Sequence, residues 1–257
     1  PIINIGAKPV FVDVLKEDYT IDPDKIEAAI TNKTKAIFLV HLLGNPCNMN
    51  KIKKIAKKYD LFIIEDACEA HGAEFNKKKV GSFGQLATFS FFASHHITTM
   101  EGGMIVTNNL QLYEIGKALR SFGWSRVLKN KTYFEKKSPE IDPRYLFVNL
   151  GYNLRPTELQ GAFGIHQIKK LDRLVTIRRN NAKFWNHELS KYSDLLLLPR
   201  FDQTYKHSFL FYPITVIKNK FFSKNELVLR LEKNGIETRP VMAGNFVNQP
   251  VAKTINF

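Results

Sequence analysis

Cysteine is scarce: the 257-residue chain has two, Cys47 and Cys68. Two thiols are too few for a disulfide framework, and their spacing does not suit a closed metal site. A reducing cytoplasmic setting without a resident metal is therefore the expectation. No apolar run reaches the roughly 18 residues a membrane-spanning helix needs, and the first residues lack the basic-then-apolar pattern of a secretion signal. No membrane partner is expected. An initiator methionine is also missing, and Pro1-Ile-Ile-Asn-Ile-Gly-Ala-Lys-Pro-Val10 reads as the middle of a domain, so the chain is taken as a fragment. Repeats and low-complexity tracts are absent.

Acidic residues are outnumbered, 24 against 38 Lys and Arg, for a formal charge of +14. Such an excess suits a nucleic acid, an acidic membrane surface or an anionic small substrate. The lysines, however, are scattered (Lys51, Lys53, Lys54, Lys57, Lys58; Lys77 to Lys79; Lys129, Lys131, Lys136, Lys137). A nucleic-acid footprint clusters basic groups on one face with aromatic residues between them, or forms a known module. Neither pattern is found, and a solvated lysine-rich surface is the simpler reading. The 44% hydrophobic and 24% charged content is ordinary for a globular chain able to bury a full core.

What is present is an alternation of strand and helix patterns. Val10 to Val14, Ala36 to His41 and Leu61 to Glu65 read as strands. Ile21 to Ile30 reads as a helix capped by Asp22 with Pro23 at its first position, and Asn50 to Lys58 as an amphipathic helix. This order predicts right-handed βαβ units and a mostly parallel sheet covered on both faces, with ligands beyond the carboxyl ends of its strands. Asp66, Glu69 and His71 fall at one such end. The most unusual stretch is Thr88 to Thr107: a strand bearing Ser90, a loop with the pair His95-His96, then Glu101-Gly102-Gly103 and a second short strand from Met104. Glycines there let a ligand approach the backbone.

Further on, Leu110 to Arg120 is predicted helical, and Ser121 to Phe147 is long and irregular, which marks a functional loop or a subunit contact. Helices are predicted at Thr157 to Lys170 and Leu171 to Lys191. Next come a strand at Phe209 to Val216, a helix at Lys224 to Asn234 ended by Gly235, and a strand at Ile236 to Val241. The division expected is a large domain at 1–170 and a linker helix with a smaller α+β domain at 171–257.

Four blocks carry a resemblance: Val40-His-Leu-Leu-Gly-Asn-Pro46, Ile63-Ile-Glu-Asp-Ala-Cys-Glu-Ala-His-Gly72, Thr88-Phe-Ser-Phe-Phe92 with Glu101-Gly-Gly-Met-Ile-Val-Thr107, and Gly151-Tyr-Asn-Leu-Arg-Pro-Thr-Glu-Leu-Gln-Gly161. In this order they resemble the DegT/StrS-type, pyridoxal-phosphate-dependent sugar aminotransferases. The resemblance implies an α/β fold of the aspartate-aminotransferase type (fold type I) and a homodimer. Where that family has the lysine that binds the cofactor covalently, this chain has His95. The substitution is similar to a minority branch, the nucleotide-sugar 3-dehydratases that use pyridoxamine phosphate. Glu237-Thr-Arg-Pro-Val-Met-Ala-Gly-Asn245 resembles that branch too.

The resemblance implies the following roles. Asp66 pairs with the pyridine nitrogen of the cofactor, although a lone aspartate there would more often cap a turn. Glu69 takes the place of a glutamine near the ring hydroxyl. Ser90 meets the cofactor phosphate, and Asn153 meets the phosphate in the neighbouring subunit. His95 is the catalytic base, suited by an ordinary imidazole pKa of about 6.5, with His96 as competitor. His71 is kept as packing. Arg126 and Arg239 are the candidates for the nucleotide diphosphate, and glutamate is the implied amino donor. The iron–sulfur form of the branch needs a cysteine-rich run after Trp124, and Trp124 to Lys137 contains none. The competing activities are a sugar aminotransferase, for which Phe91 to Glu101 supplies no lysine, and a non-catalytic cofactor-binding module.

Overall fold

A computed structural model describes residues 1–255. The first helix, α1 (Pro23–Ala29), starts where the Asp22 side chain accepts from the Asp24 amide and Pro23 presets the helical φ. Strand β1 (Ala36–Val40) follows, then α2 (Met49–Lys58), whose cap is Asn48 accepting from Lys51, then β2 (Phe62–Asp66). Two short strands, β3 (Glu74–Phe75) and β4 (Lys78–Lys79), form a hairpin before β5 (Leu86–Ser90) and β6 (Gly103–Val106). Helix α3 spans Leu110–Arg120, and the short α4 (Lys131–Lys137) lies within the irregular stretch. Helices α5 (Glu158–Ile168) and α6 (Leu171–Leu189) are followed by β7 (Leu196–Leu197), β8 (Tyr205–Lys206), β9 (Thr215–Val216) and α7 (Lys224–Lys233).

The central sheet has the order β1-β2-β5-β6. β1, β2 and β5 are parallel, with Val40, Asp66 and Thr88 in register, and β6 closes the sheet antiparallel to β5. Period-two alternation sends Ile37, Leu39 and Ile63 inward against Ile26 of α1 and Met49, Ile52 and Ala56 of α2. Full burial of each such aliphatic side chain contributes about 2 kcal/mol. The register also brings the carboxyl ends of β1 and β2 to one edge, with Ser90 at the end of β5 two residues beyond Thr88.

Four expectations need correction. The sheet is packed on one face only among the described residues: Phe38, Val40 and Phe62, pointing the other way, are 42, 36 and 54% exposed. Val10 to Val14 is not a buried strand. Val10 and Phe11 are exposed, and the segment makes a turn in which Asp22 N donates to Asp13 O and Val14 bridges Ile21. Of Phe209 to Val216 only β9 is strand, pairing with β7, because Phe209 and Leu210 spend their backbone groups on other partners described below. Ile236 to Val241 is irregular: its first amide returns to Leu231 O, closing α7 around Gly235 at φ +77, and among the described residues no strand pairs with the rest.

Candidate active site

The floor of the sheet edge is built on Glu65, fully buried within β2. Its Oε1 accepts from the amides of Phe83 and Gly84 at 2.7 and 2.6 Å, and its Oε2 accepts from Gly81 at 2.7 Å and from His41 Nε2 at 3.0 Å. His41 Nδ1 accepts from the Cys47 amide, which leaves the ring proton on Nε2. Burial alone would neutralise Glu65, but the bonds from His41, Gly84 and Gly81 outweigh it and hold the pKa below its ordinary value. A buried carboxylate with this many donors fixes the turn at 81–84 and the end of β2 together.

The next residue, Asp66, is half-buried at the strand end, and its Oδ1 caps the following turn by accepting from Cys68 N at 3.0 Å. The Cys68 thiol, pushed up to about 12 chiefly by burial, stays protonated. Glu69 is buried; its Oε2 accepts from the Leu43 amide at 2.7 Å, and burial raises its pKa. Leu43 holds a left-handed φ of +56°, and Gly44 beside it a φ of +92°, where a Cβ would fall 2.4 Å from Ser208 Oγ. Ser90 Oγ accepts from Phe92 N at 3.1 Å, so the hydroxyl sits at the mouth of the His95 loop.

The two adjacent histidines differ. His96 is buried, with Nε2 3.1 Å from the Ser208 carbonyl oxygen, and burial lowers its pKa to about 3. It is a packed, neutral donor through Nε2, and its Nδ1 is buried without a hydrogen-bond partner. His95 is half-buried against the Phe92 ring, and its Nδ1 is buried without a hydrogen-bond partner. An unpaired polar atom in such a place is costly unless a ligand completes it. His71 is packing: it lies against Phe89 and Phe91, and burial brings its pKa to about 4.

A second group forms around Trp124. Ser121 bridges Asn153 and Trp124 bridges Phe147. The Arg126 guanidinium lies 3.5 Å over the Trp124 ring, and that of Arg155 lies 4.9 Å from Phe122 and 5.7 Å from Trp124. Asn153 is exposed beside them. Thus Asp66, Glu69, Ser90 and His95 share the sheet edge, Asn153 and Arg126 share the aromatic group, and Arg239 belongs to neither. Arg239 is exposed, its Nε 3.2 Å from Glu237 Oε1 and its guanidinium 6.0 Å from the Phe211 ring. Sequence reasoning passed over Glu65, His41, Arg178, Arg179, His207 and Ser208. For Glu65 a signal existed, since a glutamate at the inward position between Ile63 and Ala67 demands buried partners.

The chain belongs to the DegT/DnrJ/EryC1/StrS aminotransferase family, whose sequence model matches residues 1–255. It is 40% identical over 260 residues to the GDP-4-keto-6-deoxy-D-mannose 3-dehydratase of Escherichia coli O55:H7 (strain CB9615 / EPEC), covering 100% of this chain and 66% of that protein. Among solved structures, the E. coli GDP-4-keto-6-deoxy-D-mannose-3-dehydratase with bound hydrated PLP superposes with a TM-score of 0.90 at 39% identity, over 99% of this chain and 66% of that one. GDP-4-keto-6-deoxymannose-3-dehydratase with a trapped PLP-glutamate geminal diamine gives 0.89 at 40% identity, over 99% and 66%. The chain spans just under two thirds of the length of these relatives. Its fold is that of the PLP-dependent aminotransferases, as the sequence led us to expect.

Proposed function

We propose that the complete protein is a pyridoxamine-phosphate-dependent dehydratase that removes the C3 hydroxyl of a nucleotide-linked 4-keto-6-deoxy hexose, working in the cytoplasm in deoxysugar biosynthesis. The observation that carries this reading is His95: a histidine with an unpartnered, buried Nδ1 stands at the sheet edge, and no lysine lies between Phe91 and Glu101. The relatives' names, 3-dehydratases of a GDP-linked keto sugar, support it.

The residues fit the cofactor. Asp66 would hold the pyridine nitrogen, Glu69 the ring hydroxyl, and Ser90 the phosphate, with Asn153 of a second subunit completing that phosphate site in a homodimer. When bound, the cofactor supplies an amine to condense with the sugar ketone and a ring that takes up electrons. The protein's part is to position groups and to move a proton. A histidine cannot attach to the cofactor covalently, so His95 is free to take a proton from its ligand and return it. The burial of His96 and its bond to Ser208 support His95 over its neighbour as that base. Arg126 and Arg239 would face the nucleotide diphosphate, with fork-shaped donors suited to phosphate oxygens, and glutamate would restore the amine.

The test uses the full-length protein with pyridoxal phosphate, borohydride and intact mass, in parallel with a 4-keto-6-deoxy nucleotide sugar and glutamate. Expected are no covalent adduct and a 3-deoxy product, lost in His95→Lys. A reduced adduct on a lysine together with an amino sugar would return the protein to the aminotransferases. Absence of both adduct and turnover would favour a binding module.

A further inference from the structure

The segment Lys206 to Leu210, buried from His207 on, and the turn Leu43-Gly44 are separated by more than 160 residues, yet they form one unit. Ser208 N donates to Gly44 O at 2.9 Å and Leu210 N to Leu43 O at 2.8 Å. Both sides hold a large residue in the left-handed region, Leu43 at φ +56° and Phe209 at φ +51°, a conformation that such side chains disfavour and that persists only where the surroundings impose it. The carbonyl oxygens of five successive residues each meet a side-chain donor. Arg179 Nη2 and Nε serve Lys206 and His207 at 3.3 and 2.8 Å, His96 Nε2 serves Ser208 at 3.1 Å, and Arg178 Nη1 serves Phe209 and Leu210 at 3.1 and 2.8 Å. Arg179 Nη2 also donates to Gly72 O at 2.8 Å, three residues beyond Glu69.

Each of these bonds leads toward the sheet edge. Leu43 presents its amide to the Glu69 carboxylate, His96 follows His95 directly, and Gly72 lies in the turn after the one that carries Glu69, under Val175 of α6. The guanidinium groups are half-buried, and their hydrogen bonds are to backbone carbonyls. Desolvating a cation for structural gain alone is expensive; here it ties helix α6 to the 206–210 segment and to Gly72, near Glu69.

We propose that Lys206–Leu210 is a latch set by Arg178 and Arg179, and that these two arginines are positioning residues for Glu69 and His95. The assignment rests on the functional reading above for the roles of Glu69 and His95, but not for the latch itself.

The test is made on the full-length protein with Arg178→Gln, Arg179→Gln, the conservative Arg178→Lys and Arg179→Lys, and Arg173→Gln as an exposed control on the same helix. Amide hydrogen exchange of the cofactor-free protein is read at Leu43, Ser208 and Leu210, the dissociation constant for pyridoxal phosphate by absorbance, and turnover on the keto sugar with glutamate. The two glutamine variants are expected to speed exchange at those amides and to weaken cofactor binding by about 10-fold or more, with kcat falling further than KM rises, because small misplacements of reacting groups cost factors of this size. Arg178→Lys should recover most of the loss, since one nitrogen of Arg178 serves both of its carbonyls. Arg179→Lys should not, since Arg179 uses two nitrogens in fixed directions. A drop in melting temperature with unchanged exchange at Leu43 and unchanged cofactor affinity would reduce the arginines to structural residues and overturn the proposal. So would equal rescue by both lysines. If a glutamine variant fails to fold, the contrast between the two lysine variants decides. If the wild type makes no 3-deoxy sugar, the dehydratase reading fails while exchange and cofactor affinity still judge the latch.

Discussion

Two pairs of arginines in this molecule are used in opposite ways. Arg178 and Arg179 are half-buried, with their donors committed to carbonyl oxygens of the Lys206–Leu210 segment and of Gly72. Arg126 and Arg155 sit over the rings of Trp124 and Phe122, and no hydrogen bond engages either guanidinium among the described residues. The aromatic faces fix the position of the second pair while leaving its N–H edges free. The comparison teaches that a guanidinium's partners indicate its task better than its charge does: carbonyl partners hold a backbone in place, whereas a ring partner keeps donors in reserve for a ligand. The same division runs through the whole site, with a buried bed at the sheet edge and an open aromatic group around Trp124.

Acid should separate the two regions most strongly. His71, His96 and His207 are buried in the bed, and burial lowers their pKa values to about 4, 3 and 3. The unfolded chain takes up protons on them below about 6.5 while the folded chain does not, so stability is lost as pH falls through that window. From pH 7 to 5 the loss is about 2 kcal/mol for each histidine, or about 6 kcal/mol together. Glu69, whose pKa burial raises, acts in the opposite sense and trims the effect. Urea denaturation at the two pH values measures this, and equal midpoints would mean that the histidines are not held neutral. Next in size is Glu65→Ala, which strands three amides and His41 and should cost about 3–5 kcal/mol in the same assay.

Removing the open region's key contact should do the reverse. Arg126→Ala is expected to change stability by less than about 1 kcal/mol while raising KM for the nucleotide sugar about 10-fold, since an exposed cation–π pair contributes little to folding. A large stability loss with unchanged KM would erase the distinction between the regions. The smallest effect belongs to Arg239→Ala. Its exposed pair with Glu237 should be worth no more than about 0.5 kcal/mol, so any sizeable change must appear in substrate kinetics.

Much of the bed was legible because its signals are local. Asp22-Pro23 starts α1, the alternation of β1 and β2 marks an inward face, and a strand ending in Glu-Asp puts carboxylates at the ligand edge of a parallel sheet. The strand expected at Val10 to Val14 failed because an apolar run does not say whether a neighbour exists to pair with it. The run at Phe209 failed for a related reason: its backbone is claimed by Leu43, Gly44, Arg178 and His96, none of them nearby in sequence.

By itself the sequence determined the family, the parallel α/β order and the replacement of lysine by His95, because each is written in short runs whose residue types have few alternative uses. The difference in burial between His95 and His96 was decided only in three dimensions. Adjacent imidazoles are chemically identical on paper; His96 is buried with its Nε2 against the Ser208 carbonyl oxygen, whereas His95 is half-buried against the Phe92 ring at the sheet edge. The partners of Arg178 and Arg179 were decided in the same way, since they are set by packing between distant segments and leave no mark on the residues around them.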